Sequence, residues 1–226
     1  VLVFAFALLW ASDHIQYISF DDFRRAVASV FFIDSITERE LKEAYARALR
    51  GEGKVKVLIV PGHDAESWGT EFGGTREEEL TRRAGEEIIA QFAKNPAFSV
   101  TLLRDQNGYL PAFGQYFAEH KEAVRAGVVA KKKIMKDLLA AGAVQKADGV
   151  QHNKAALEVA LRLYAAIQWA NENNFQLILH LHFNDDPTRA KGKPGVYTGF
   201  ALYIPEKQYS NAKASRALAE KILSRL

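Results

Sequence analysis

The chain has 226 residues, of which 48% are hydrophobic and 25% charged, and this composition excludes a disordered or collagen-like protein. Its 30 basic and 27 acidic residues leave a net charge of only +3, which does not indicate a surface for nucleic acid. Cysteine is absent, so disulfides, cysteine nucleophiles and thiolate metal sites are excluded. A metal would therefore have to be bound by His, Asp or Glu.

The N-terminal part of the chain has an apolar start and then a weakly patterned segment. Residues 1–11 (VLVFAFALLWA) are an uninterrupted apolar run, too short to span a bilayer alone because a spanning helix needs roughly 20 residues. We predict that residues 1–12 are the remnant of an export signal or membrane anchor, although a buried strand would have a similar composition. Residues 13–53 are predicted to be a helical N-terminal segment and linker, with a helix over residues 37–50.

Beyond this segment, strand-like and helix-like patterns alternate. Short apolar runs bounded by turn residues predict strands over residues 54–60, 98–103, 175–183 and 196–204. Amphipathic spacing and composition predict helices over residues 75–94, 153–173 and 210–226 and within residues 106–149. This alternation predicts an α/β fold, with a mostly parallel or mixed sheet and helices on both faces.

Ionisable residues follow two of these strands and open one of the helices. His63 comes directly after the Pro61-Gly62 turn that ends the first strand, and His182 lies at the end of the third strand. Glu77 lies in the first turn of a helix that follows a glycine-rich loop. Because α/β sheets usually carry their chemistry at the carboxyl ends of the strands, we expect these side chains to meet there. Two imidazoles and one carboxylate are a typical ligand set for catalytic zinc, with a fourth position for water.

Three consecutive glutamates open that helix, and a capping pattern favours one of them as the ligand. With Thr75 as the N-cap, Glu78 would be at the third helical position, where a carboxylate turns back onto the N-cap amide. Glu77 would then point toward the strand ends, and we predict it as the ligand in preference to Glu78 or Glu79. A glutamate run at a helix start is also typical of simple compensation of the helix dipole.

The third strand carries a second histidine, His180, on the same face as His182. Two imidazoles in an otherwise apolar strand need polar partners or a metal. We expect His180 to orient a ligand, hold a water or contact the substrate, without binding the metal itself. Asp64, directly after His63, and Asn184, two residues after His182, are assigned the same supporting role.

Several segments, in chain order, resemble one known family. Residues 57–63 (VLIVPGH) resemble the strand and PGH turn that open the zinc-dependent N-acetylmuramoyl-L-alanine amidases of the amidase_3 family of cell-wall hydrolases. Further segments similar to that family's pattern are residues 73–77 (GGTRE), 100–105 (VTLLRD), 170–184, 195–197 (GVY) and 215–219 (SRALA). The resemblance extends over residues 54–226, which we predict to be an amidase-like catalytic domain.

The resemblance implies a metal, a substrate and a location. His63, Glu77 and His182 would bind Zn²⁺, and the substrate would be the amide between N-acetylmuramic acid and L-alanine in peptidoglycan. The protein would act outside the bacterial cytoplasm, in the periplasm, in the cell wall or anchored to the membrane. Two alternatives stay open: another zinc peptidase or amidase with the same ligands, and a non-catalytic module that binds the cell wall.

The chain also departs from the family's pattern. His180 and Ala166 stand where the family usually has Ser and Arg. The family's catalytic glutamate lies in a later strand, so the resemblance implies a C-terminal truncation that would place this residue after Leu226. Weaker candidates for the same general-base role are three loop carboxylates, Asp64, Glu66 and Glu71.

Residues 106–149 form a helix-prone insertion where the family's core needs only a short connection. The insertion leaves from the carboxyl end of a strand, which is the predicted zinc-bearing edge. By resemblance to family members with an inserted regulatory helix, one interpretation is a gate that a partner protein moves aside, and Glu119, His120 and Glu122 are the candidates for contact with the metal site. The alternative is an appendage that stabilises the protein or faces the membrane.

Overall fold

The computed structural model describes residues 36–144, 156–183, 190, 193, 195, 199–205 and 211–225. The predicted export or anchor remnant at residues 1–12 lies outside these ranges. None of the helices within the described ranges is long and apolar enough to cross a membrane.

Helices and strands alternate along the described chain. The helices are α1 (Glu38–Leu49), α2 (Glu77–Phe92), α3 (Pro111–Ala140), α4 (Leu157–Glu172) and α5 (Ala212–Leu223). The strands are β1 (Val55–Pro61), β2 (Glu71–Phe72), β3 (Thr75–Arg76), β4 (Phe98–Leu102), β5 (Arg104–Asp105), β6 (Gly108–Tyr109) and β7 (Leu177–Leu181).

The predicted fourth strand, residues 196–204, is wrong where the structure describes it. Residues 199–204 have no strand structure, while residues 196–198 lie outside the described ranges. Gly199 has a φ of 125°, which interrupts the extended backbone that a strand requires. The apolar pattern that followed it was therefore insufficient to predict a strand.

The main sheet has the strand order β4-β1-β7, and both pairings are parallel. In the register of these pairs, Ile59 lies opposite Leu102 and Leu179, and Pro61 lies opposite Leu181. Two short antiparallel pairs, β2 with β3 and β5 with β6, lie in the connections beyond β1 and β4. Because the three main strands run in one direction, the segments that follow them leave from the same edge of the sheet.

Helices cover both faces of this sheet, as predicted. Alternate residues of β1 face opposite sides, so Val57 and Ile59 pack with residues of α1 and α2, whereas Leu58 and Val60 pack with α3 and α4. Each of these four side chains is at most 4% exposed. Complete burial of such a side chain contributes roughly 1.5–3 kcal/mol. The central strand is therefore fixed from both sides, and with it the position of the loop that follows.

The predicted insertion contains a long helix, α3, whose residues from Phe113 to Val128 contribute to the core. Phe113, Val124 and Val128 are buried and pack in the same cluster as Leu161 and Trp169 of α4. Two compact units divide the chain, and residues 38–130 and 151–202 form the one that contains the sheet. Among its described elements, the second unit contains the last part of α3, from Lys131 onward, and the whole of α5.

Candidate metal centre

Two histidines and one glutamate converge at the carboxyl edge of the sheet. His63 follows β1, Glu77 is the first residue of α2, and His182 follows β7. The Nε2 atom of His63 lies 3.3 Å from Oε2 of Glu77, and Nδ1 of His182 lies 3.2 Å from Oε1 of the same carboxylate. One candidate ligand atom from each residue lies within 4.8 Å of the other two. The structure therefore brings together the three residues that the sequence pattern selected, whereas their binding of zinc stays a prediction.

Two glycines allow the backbone to approach this cluster closely. The Gly62 amide donates to the Leu181 carbonyl at 2.8 Å, and a Cβ at Gly62 would lie 2.5 Å from Cε1 of His182. A Cβ at Gly69 would lie 2.5 Å from Oε2 of Glu77 and 2.7 Å from Cδ2 of His63. Any larger residue at either position would occupy the space of the candidate ligands.

The imidazole of His63 is oriented by its own loop. Its Nδ1 lies 3.0 Å from the Ser67 carbonyl oxygen, which can only accept, so Nδ1 carries the proton. Nε2 is then left with the lone pair, and it is the nitrogen that faces Glu77. This arrangement, in which one ring nitrogen donates to a carbonyl, is typical of histidines that bind metals through the other nitrogen.

Glu77 is only 3% exposed, and its carboxylate accepts hydrogen bonds on both oxygens. The Thr70 amide donates to Oε2 at 3.1 Å, and the Phe183 amide donates to Oε1 at 3.0 Å. Burial acts to raise the pKa of Glu77, but these hydrogen bonds and the nearby histidines outweigh it and lower the pKa. The carboxylate is therefore ionised at neutral pH, which is the form that binds a cation.

The N-cap predicted for α2 is wrong, although Glu77 is the glutamate that faces both histidines. Thr75 lies in β3, paired with Phe72, so it cannot cap the helix; the N-cap is Arg76, whose side chain makes no capping bond. The Glu77 amide instead donates to the Thr70 carbonyl at 2.8 Å. A short hairpin that the sequence pattern did not reveal thus sets where the helix begins.

The other two glutamates of the run have different partners. Oε2 of Glu78 lies 3.2 Å from Nη1 of Arg104, a side chain that is 4% exposed. Nη2 of Arg104 also donates to the Glu78 carbonyl at 2.9 Å, so this arginine fixes the first turn of α2. Glu79 pairs with Arg83 one helical turn later.

The donor set fits zinc. Two ligands about 2.0–2.2 Å from a tetrahedral ion lie roughly 3.4 Å apart, close to the 3.3 and 3.2 Å that separate Glu77 from the two histidines. Neutral imidazoles and a buried carboxylate are ligand types that zinc prefers. His63 is 28% and His182 45% exposed at the side chain, so the cluster is open to solvent on the histidine side.

Asp64, predicted to support the site, is buried and saturated with hydrogen bonds. Its Oδ1 accepts from the amides of Glu66 at 3.1 Å and Ser67 at 2.9 Å. Its Oδ2 accepts from the Tyr109 hydroxyl at 2.9 Å and from Nη1 of Arg162 at 2.8 Å. Burial acts to raise the pKa of Asp64, but these donors outweigh it and the pKa is lowered. Asp64 is thus an anion held inside the protein.

Tyr109 is the complementary donor. Burial, together with the adjacent Asp64 carboxylate, raises the pKa of Tyr109 to about 12. The phenol keeps its proton at physiological pH and can donate it to Asp64. The Arg162 guanidinium lies 5.5 Å from the centre of the Tyr109 ring, which adds a cation–π contact to the same cluster.

The remaining predicted site residues lie elsewhere or outside the described ranges. His180 lies in β7 opposite Val60 and is absent from the described residues that could together hold a metal ion. Asn184 lies outside the described residues. The alternative bases Glu66 and Glu71 form ion pairs with Arg162 and Arg76.

The three residues predicted to form a gate have partners within α3. Glu119 accepts from Gln115 at 2.8 Å, and Glu122 lies 3.4 Å from Arg125. His120 bonds the Tyr116 carbonyl at 2.9 Å and stacks on that residue's ring. None of the three belongs to the described metal cluster, and the regulatory role stays a prediction.

Sequence reasoning missed several residues that build the site. Arg162 lies four residues, about one helical turn, before Ala166, and its isolated charge between Leu161 and Leu163 was the available signal. Thr70 had no signal beyond its place in a polar loop. Tyr109 was equally inconspicuous, because its link to Asp64 spans 45 positions.

The comparison with protein families finds one match. The model of a family described as N-acetylmuramoyl-L-alanine amidase matches residues 57–226, a span that includes His63, Glu77 and His182. No curated protein and no solved structure shows a significant match.

Proposed function

The chain belongs to the N-acetylmuramoyl-L-alanine amidase family of peptidoglycan hydrolases, and from this premise we propose a zinc-dependent reaction. The bond cleaved would be the amide that joins the lactyl group of N-acetylmuramic acid to L-alanine. The observation that carries the proposal is the convergence of His63, Glu77 and His182 on one point at the carboxyl edge of the sheet.

The chain's own residues prepare this site in three ways. The Ser67 carbonyl keeps the proton of His63 on Nδ1, so that Nε2 is free to bind. The amides of Thr70 and Phe183 hold the Glu77 carboxylate ionised and in place. A zinc ion bound by the three donors would polarise the scissile carbonyl and lower the pKa of water toward about 7.

Proton transfer needs a separate general base. Asp64 accepts four hydrogen bonds, so no lone pair is directed at a substrate, and we do not assign this role to it. Glu66 and Glu71 are engaged by arginines. We therefore assign proton transfer to none of these three carboxylates; the group that performs it would take the proton of water and return it to the leaving amine.

The remaining parts of the proposal concern location and control. Members of this family act on the cell wall, which implies action outside the cytoplasm. We propose that residues 1–12 serve export or anchoring, that residues 13–53 link them to the catalytic domain, and that the inserted segment 106–149 limits access until a partner protein binds.

The test measures metal content and product together. Purified protein should bind one equivalent of zinc and release peptides with a free N-terminal L-alanine from peptidoglycan. His63→Ala and Glu77→Gln should abolish both, whereas Glu79→Gln, which alters the neighbouring exposed ion pair with Arg83, should abolish neither. Cleavage of ordinary peptides but not muropeptides would indicate the alternative zinc peptidase. Zinc binding without any cleavage would indicate the non-catalytic module.

A further inference from the structure

A buried network on the α4 side of the sheet reaches the candidate metal centre through the loop after β1. We propose that Arg162 and Tyr109 are positioning residues for His63, and that they act by fixing Asp64. This inference rests on the proposed zinc site, because its readout is the affinity of that site.

The first step is the link from Asp64 to His63. The Asp64 carboxylate accepts a hydrogen bond from the Ser67 amide at 2.9 Å. The backbones of the two residues also bond each other: the Ser67 amide donates to the Asp64 carbonyl at 3.1 Å, and the Asp64 amide donates to the Ser67 carbonyl at 3.2 Å. This tight turn places the Ser67 carbonyl 3.0 Å from Nδ1 of His63. A change at the Asp64 side chain is therefore transmitted to the imidazole through a single residue, Ser67.

The second step is strain at His63 itself. Its φ is 64°, a left-handed conformation that costs a non-glycine residue free energy unless the surroundings impose it. The turn from Asp64 to Ser67 begins at the next residue, so it is the local structure that imposes this conformation. Without the turn, the backbone would relax and the imidazole would leave its place opposite Glu77.

The third step is the role of Arg162. Its guanidinium joins Asp64 at 2.8 Å and Glu66 at 3.0 Å, two residues of the same loop, although it lies almost a hundred positions away in the sequence. Its planar head also lies 5.5 Å from the ring centre of Tyr109 and 5.9 Å from that of Phe117. Arg162 is 19% exposed at the side chain, so it offers Asp64 a largely desolvated partner charge. Through Arg162, the loop after β1 that carries His63 is thus bonded to α4 and in contact with the β5–β6 hairpin.

The experiment measures the zinc dissociation constant by competition with a chromogenic chelator, together with the melting temperature of the zinc-free chain. Arg162→Met keeps the aliphatic stem and removes the charge, and Tyr109→Phe removes only the hydroxyl. Arg162→Lys restores a positive charge near Asp64, but an ammonium group lacks the planar fork with which Arg162 pairs with Asp64 and Glu66 together. We expect zinc affinity to fall about 10- to 100-fold in Arg162→Met and several-fold in Tyr109→Phe, with partial recovery in Arg162→Lys.

Two matched variants control for general destabilisation. Arg82 is 18% exposed and pairs with Glu86 along α2, so Arg82→Met removes an equally buried arginine. The Tyr45 hydroxyl accepts a hydrogen bond from the Asn95 side-chain amide at 3.3 Å on the other side of the sheet, so Tyr45→Phe also removes one partly buried, hydrogen-bonded tyrosine hydroxyl, away from the metal centre. Both controls should lower the melting temperature without changing zinc affinity by more than about twofold, the resolution we take for such a titration.

The outcomes separate this inference from the proposed function. If the unaltered chain binds no zinc, the metal site itself is wrong. If it binds zinc and the folded Arg162→Met and Tyr109→Phe variants bind it as tightly, only the positioning role is overturned. Should Arg162→Met fail to fold, Tyr109→Phe decides alone: a change no larger than that of Tyr45→Phe refutes the proposal, and a clear excess supports it.

Discussion

Two regions supply the candidate metal centre, and they are positioned by different means. The loop after β1, residues 62–76, carries His63 on a strained backbone held by hydrogen bonds within the loop and from Arg162. The segment after β7 carries His182 directly beyond a strand whose register with β1 is fixed by backbone pairing. Sheet pairing therefore places one histidine, whereas a polar network places the other. An apolar pattern predicted where both histidines lie along the strand ends, but not the polar network that holds His63.

Glu77 connects the two regions. One carboxylate oxygen faces His63 and accepts from the Thr70 amide, and the other faces His182 and accepts from the Phe183 amide. Substitutions in the loop should therefore disturb one half of the centre, and changes to the carboxylate should disturb both.

The largest effect is expected from Gly69→Ala in the loop. Gly69 has a φ of 77°, and the added Cβ would meet Glu77 at 2.5 Å and His63 at 2.7 Å. Strain and overpacking together should lower the free energy of unfolding by about 2–4 kcal/mol and abolish tight zinc binding. Thermal or urea unfolding and a zinc titration measure the two effects.

Gly74→Ala is the matched control for this substitution. Gly74 has a φ of 79°, nearly the same backbone, but nothing lies within 4 Å of its added Cβ. Gly74→Ala should lower the free energy of unfolding only by the cost of backbone strain, about 1 kcal/mol, and should leave zinc affinity unchanged. Equal zinc affinity in the two variants would show that crowding of the ligands by residue 69 is not what the site is sensitive to.

An intermediate effect is expected when the zinc-free protein is acidified, because its free energy of unfolding should fall. The pKa of Glu77 is lowered in the folded state, so its ionised form stabilises the fold at pH values above its unfolded pKa of about 4.5. This contribution should disappear as the pH falls through the lower folded pKa. Asp64, whose pKa is also lowered, contributes in the same direction.

Glu77→Gln measures how much the Glu77 carboxylate contributes to the pH dependence of the unfolding free energy. The variant cannot lose a proton at this position, so its unfolding free energy should decline less steeply with acid than that of the unaltered chain. Asp64, whose pKa is also lowered, should contribute to the residual slope. Urea titrations across the acid range, with a chelator present throughout, give both slopes, and identical slopes would mean that Glu77 is not coupled to folding.

The fold class and the family were predictable because they depend on local patterns. The apolar runs that became β1, β4 and β7, and the helices between them, were visible as periodicity. The resemblance to the amidase family, carried by ordered short motifs, is confirmed by the match over residues 57–226.

The site was only partly predictable because its support is built from distant residues and very short elements. The β2–β3 hairpin has two residues per strand, too few for a periodic signal, and it displaced the predicted N-cap from Thr75 to Arg76. The ion pair between Asp64 and Arg162 joins residues 98 positions apart, so no local pattern reveals it. We predicted Glu77 as the ligand from an N-cap at Thr75 that is wrong, and yet Glu77 is the glutamate that faces both histidines.

The smallest effect is expected at the hydroxyl that bridges the two regions. The Thr70 Oγ1 lies 3.2 Å from Oε2 of Glu77 and 3.3 Å from the Phe183 carbonyl, and its single proton can be donated to one of them at a time. Thr70→Val removes this bond but keeps the shape and the Thr70 amide, which continues to hold Glu77. We expect a loss of about 0.5–1.5 kcal/mol in unfolding free energy and a few-fold loss in zinc affinity. Thr70→Ser, which keeps the hydroxyl, should retain the affinity. If Thr70→Val instead weakened zinc as much as Gly69→Ala does, the two regions would be held together by this side chain and not by the carboxylate of Glu77.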